Sequence, residues 1–100
     1  MDTLKKFELM EKISRELEDL KNSQTALLQK VTKIEVDNIE LGNKKLEDTL
    51  PDIHQNAAET IDLIAAILEN FAEGKDSYEK KNNIDALKEQ EAINSVINKD

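Results

Sequence analysis

Residues Met10–Leu41 read MEKISRELEDLKNSQTALLQKVTKIEVDNIEL, and the recurrence of apolar residues in that stretch decides the fold. With Met10 at heptad position a, the a positions are Met10, Leu17, Gln24, Val31 and Asn38. The d positions are Ile13, Leu20, Leu27, Ile34 and Leu41, and neither Gly nor Pro interrupts the run. Apolar residues returning every three and then four positions keep one narrow stripe on one side of a slightly underwound helix. Such a stripe is buried only against another helix. The chain is therefore expected to be all-α, with residues 1–47 a coiled-coil oligomerisation helix and these ten a and d residues its oligomer seam.

Charges flanking the seam bear on its orientation. In a parallel, in-register pair Glu16 faces Lys21 of the other copy and Lys30 faces Glu35, both of opposite sign. An antiparallel self-pairing centred on residues 24–27 brings Glu16 towards Asp37 instead. Exposed pairs contribute only about 0.2–1 kcal/mol each, so they choose orientation without supplying stability. The amides of Gln24 and Asn38 weaken the seam but penalise slipped registers, and Asn at a favours two strands. A parallel dimer is the expected self-association. Leu28 at e, with Val36 and Ile39 off the seam, widens the apolar stripe and keeps a trimer or tetramer as alternatives.

Beyond Leu41 the phase is lost at Gly42 and Asn43. Pro51 disfavours the α region at Leu50 and is well placed in the first turn of a new helix, which predicts a break near Pro51, within 48–52. Residues 53–72 then form a second amphipathic helix, whose face of Ile53, Ala57, Ile61, Ile64, Leu68 and Phe71 is wide enough for two neighbours. It either folds back on Leu28, Ile39 and Leu46 of the first helix as an αα-hairpin or continues as a bent rod. Within that face Ile61, Ile64, Leu68 and Phe71 are the candidate partner surface. Glu73-Gly74 reads as a helix stop, and Asp76 with Glu79 as a capping box. They open a weaker C-terminal helix over 76–100 with a frayed or partly disordered end.

Fourteen Lys and Arg against 22 Asp and Glu give a formal net charge of -8, which argues against direct nucleic-acid binding, since a phosphate lattice is held by clustered cations. The absence of Cys removes disulfides, thiolate chemistry and Cys-based zinc sites. The longest apolar run, Leu63–Leu68, is far shorter than the ~20 residues of a membrane span, and no secretory leader pattern is visible, so a soluble, cytoplasmic protein is expected. His54 is the one imidazole, with Ala58 where a second ligand one turn on would stand, and neither metal nor cofactor is expected. The serines lack a neighbouring base and no phosphate-cradling Gly-rich loop is present, so no enzymatic activity is expected.

Ile39-Glu40-Leu41-Gly42-Asn43-Lys44-Lys45-Leu46 resembles the Leu-x-Leu-x-Asn-Lys-x-Leu stretch that ends the coiled coil of the YabA replication-initiation-control family. The resemblance covers about a dozen residues and implies tetramerising helices that bind replication proteins. That family's C-terminal zinc module needs Cys ligands, which this chain lacks, and the assignment is not taken. The functional expectation is a non-enzymatic oligomerisation and interaction protein, an assembly or scaffolding subunit that binds itself and another protein. The alternative is a regulator or chaperone-like escort that masks a specific partner through an acidic helical face.

Overall fold

A computed structural model describes residues 2–97, and the last residues of the C-terminal segment, expected to be frayed or partly disordered, lie outside the described residues from 98 onward. The protein is all-α. Three helices follow one another, α1 (Thr3–Leu41), α2 (Lys44–Lys81) and α3 (Ile84–Ile97), with no strand among the described residues. They divide into two compact units, one of residues 16–68 and one of residues up to Arg15 together with those from Glu69 onward.

The first unit is a helical hairpin. Its reversal falls at Gly42-Asn43 and not near Pro51, because these two residues satisfy both helix ends. Gly42 takes φ +68°, a left-handed conformation open to Gly, and its N–H donates to Asn38 O at 2.7 Å to close α1. Asn43 caps α2, its Oδ1 accepting from Leu46 N at 3.0 Å. With the chain already turned, Pro51 has no turn to make and lies inside α2. A proline in a helix interior removes one backbone hydrogen bond, at a cost of roughly 3 kcal/mol. Here Glu47, whose carbonyl loses its partner, and Pro51 are both exposed, while Leu50 beside them is buried and holds the helix in place.

Burial in the hairpin centres on a four-three rhythm, with Thr25, Leu46, Ala58, Thr60 and Ala65 half-buried beside it. On α1 the covered row is Leu17, Lys21, Gln24, Leu28, Val31, Glu35 and Asn38, and on α2 it is Leu50, His54, Ala57, Ile61, Ile64 and Leu68. Val31, Asn38, Leu50, Ala57 and Ile64 are the buried members. On α1 these are positions a and e, so the contact stripe is rotated by about 50° from the a/d stripe of the sequence reading. The turn explains the rotation. Asn38 Oδ1 accepts from Asn43 N at 2.9 Å and its Nδ2 donates to Asn43 O at 3.1 Å, which aims the a row at the incoming helix. Leu28 faces α2 as an αα-hairpin required, whereas Ile39 is 81% exposed.

The second unit joins the start of α1, the end of α2 and α3. Asp2 caps α1 by accepting from Lys5 N at 2.8 Å. Among the described residues of this unit Phe7 and Ile84 are the buried side chains, Ile84 fully so. The Tyr78 hydroxyl donates to Thr3 O at 3.2 Å, and Lys6 Nζ stands 5.4 Å from the Tyr78 ring centre. Lys88 of α3 sits 5.1 Å from the Phe7 ring centre and 4.0 Å from Glu11. Gly74 does not stop a helix. α2 runs on to Lys81, Asp76 bonds Lys80 one turn later instead of capping, and the stop comes at Asn82-Asn83, where Asn83 takes φ 50°. The third helix thus opens at Ile84 and not at Asp76.

Candidate interaction surface

The hairpin of residues 16–68 divides the expected seam lengthwise. Its a residues Leu17, Gln24, Val31 and Asn38 face α2, half-buried or buried. Its d residues lie about 60° round the helix from the a row. Leu20, Leu27 and Ile34 are 46%, 41% and 43% exposed, and Leu41, beside the turn, more so. Met10 and Ile13 belong to the other unit, where both are half-buried.

The candidate partner face on α2 is largely consumed. Ile64 is buried and Ile61 and Leu68 are half-buried in the row that meets α1, and Phe71, in the second unit, is half-buried too. Folding back gave the richest apolar row of α2 to its own chain. What α2 leaves outward is a second row in the same rhythm, Thr49, Ile53, Asn56, Thr60, Leu63 and Ile67, all exposed except the half-buried Thr60. Ile53, Leu63 and Ile67 are 40%, 68% and 50% exposed.

Both outward rows occupy one side of the hairpin. Leu20, Leu27 and Ile34 follow the buried a row of α1 by three residues, and Ile53, Thr60 and Ile67 follow Leu50, Ala57 and Ile64 of α2 by three. In an antiparallel pair, equal offsets from the contact row fall on the same side. A contact between His54 Nδ1 and Glu35 Oε1 at 2.9 Å fixes the register, bringing Ile34 level with Ile53, Leu27 with Thr60 and Leu20 with Ile67 to within about two residues. The result is one apolar surface of six large side chains with Thr60 at its centre.

The polar atoms of that surface are largely disposed of. The Thr60 hydroxyl donates to Asn56 O at 2.8 Å within its own helix, so covering it strands no donor. No member of the Thr49–Ile67 row is charged, in a chain where 36% of residues are. Sequence reasoning placed Ile53 in the face row of the second helix and left Leu63 and Ile67 out of that row. The signal that separates them is the unbroken four-three spacing of uncharged residues running beside the buried row.

His54 and Glu35 form a cross-helix contact that tethers the hairpin, both side chains being partly exposed. Among the described residues, no group of three or more His, Cys, Asp or Glu is placed to hold a metal ion. A shallow groove of about 320 Å³ beside the turn, lined among others by Asn38, Ile39, Leu46 and Pro51, presents mainly apolar side chains and the edges of Glu35 and Glu47. No described helix is long and apolar enough to cross a membrane. No family model, no curated protein and no solved structure matches the chain.

Proposed function

We propose that the protein is a non-enzymatic assembly subunit of the cytoplasm. It acts by helix–helix association, oligomerising through the uncovered side of its hairpin and so serving as a scaffold for larger assemblies. The observation that carries this is the surface of Leu20, Leu27, Ile34, Ile53, Leu63 and Ile67, all at least 40% exposed and all on one side of two packed helices. A contiguous apolar patch rimmed by polar residues marks an interaction surface. The chain's own core is small as well. Among the described residues its buried apolar side chains are Phe7, Val31, Leu50, Ala57, Ile64 and Ile84, and domains of this size commonly draw further stability from association.

Sedimentation velocity on the native chain and on Leu20→Lys with Ile67→Lys tests this. The native chain is expected to sediment as an oligomer and the double variant as a monomer of unchanged helicity by circular dichroism. A native chain that stays monomeric at all concentrations, or an oligomer that survives both lysines, would overturn the proposal.

A further inference from the structure

Resting on that reading, we infer that the surface is occupied by a second copy of the chain, and that the outward row of α1 lies along the Thr49–Ile67 row of the other copy's α2. The assembly is a two-fold four-helix bundle whose axis runs parallel to the helices.

Three observations select this occupant and this arrangement. The first is register. A two-fold axis parallel to the helices leaves every residue at its own level, so residues level within one hairpin meet across the interface. Leu20 then packs on the second copy's Ile67, Leu27 on its Thr60, and Ile34 on its Ile53. The interface is self-complementary, as a closed two-fold contact must be. The second is charge. The residues of α1 that flank Leu20, Leu27 and Ile34 on the outer side are Glu16, Ser23, Lys30 and Asp37. In this arrangement Ser23, Lys30 and Asp37 fall opposite the uncharged Thr49–Ile67 row, and Lys30 comes level with Glu59 at its edge. The competing two-fold, with its axis across the helices, stacks α1 on α1 about Leu27 and sets Glu16 against Asp37. The third is area. The chain exposes 7753 Å², against the ~5,800 Å² typical of a folded monomer of its mass. The excess of roughly 2,000 Å² per chain is more than the ~600–1,000 Å² that each partner gives to a specific protein interface of standard size. In this bundle the two α1 helices run parallel, each touching the other copy's α2.

Because the chain has no Cys, disulfide trapping reads the arrangement directly. Leu27→Cys and Thr60→Cys are made in separate chains of different mass, mixed, allowed to exchange and oxidised. A disulfide joining the Leu27→Cys chain to the Thr60→Cys chain, in large excess over either homodimer, is the expected product. Thr60→Cys linking chiefly to itself would overturn the arrangement in favour of the crossed axis. A dimer by sedimentation that links at neither position would place the contact elsewhere and overturn the inference, while self-association stands. A monomeric native chain would overturn both. Should either variant lose helicity, Ser23→Cys with Leu63→Cys, on the adjoining rows at the same level, tests the parallel axis: a mixed disulfide is expected, and its absence from a dimer seen by sedimentation would overturn the arrangement.

Discussion

Asn38 is the residue whose replacement separates a hairpin-forming role from a seam-forming one. It is buried, 8% exposed, and its amide makes two hydrogen bonds to the backbone of Asn43, at 2.9 and 3.1 Å. Asn38→Ala removes both. At a net ~0.5–1.5 kcal/mol per hydrogen bond the loss is about 1–3 kcal/mol, and the exposure of Asn43, which lets water replace part of it, favours the lower half. For a domain of this length 1 kcal/mol corresponds to about 4–8 °C in midpoint, so a fall of roughly 5–12 °C is expected. Urea and thermal unfolding by circular dichroism, at one fixed protein concentration because association contributes to apparent stability, measure it. Gln24→Leu is the comparison, at a half-buried a position with no side-chain hydrogen bond to the described chain, and is expected to be neutral or stabilising. The oligomeric mass of Asn38→Ala should match the native chain. Unchanged stability with an altered subunit number would refute the reasoning, since Asn38 would then be acting between chains.

The two glycines respond with opposite signs. Gly42→Ala meets no atom within 4 Å but forces a side chain into φ +68°, and is expected to cost about 1–2 kcal/mol in urea unfolding. Gly74→Ala, inside α2 and equally open, is expected to gain roughly 0.5–1 kcal/mol. Ile84→Ala empties the one fully enclosed side chain of the second unit, with an expected loss of about 2–4 kcal/mol and faster limited proteolysis at Lys88. Two chains of charge -8 repel through solvent, so raising salt from about 0.05 to 0.5 M should tighten self-association in sedimentation equilibrium, whereas a contact held by surface ion pairs would loosen.

Much of this molecule was legible in its sequence. The helical class and the apolar rhythm of both hairpin helices follow from spacing alone. So does the interruption at Gly42-Asn43. What escaped was which of several punctuation marks reverses the chain. Pro51 and Gly74 carry strong helix-ending signals, yet both sit inside α2, because the backbone groups of the reversal are met at Gly42, Asn43 and Asn38, and those of the stop at Asn82-Asn83. The side of α1 that faces α2 was equally hidden. The a/d and a/e stripes share their a row, and only the bonds from Asn38 to Asn43 turn the helix towards e. Once α2 folds back, Ile61, Ile64 and Leu68 are spent within the chain, and the outward surface passes to Ile53, Leu63 and Ile67.

Light scattering on the native chain, followed through size exclusion at loading concentrations from on the order of 1 to 100 µM, tests the association most directly. A mass of twice 11.4 kDa that gives way to the monomer only at the dilute end is the expected result. A constant 11.4 kDa across the whole range would contradict it and leave the hairpin's apolar side without its second copy.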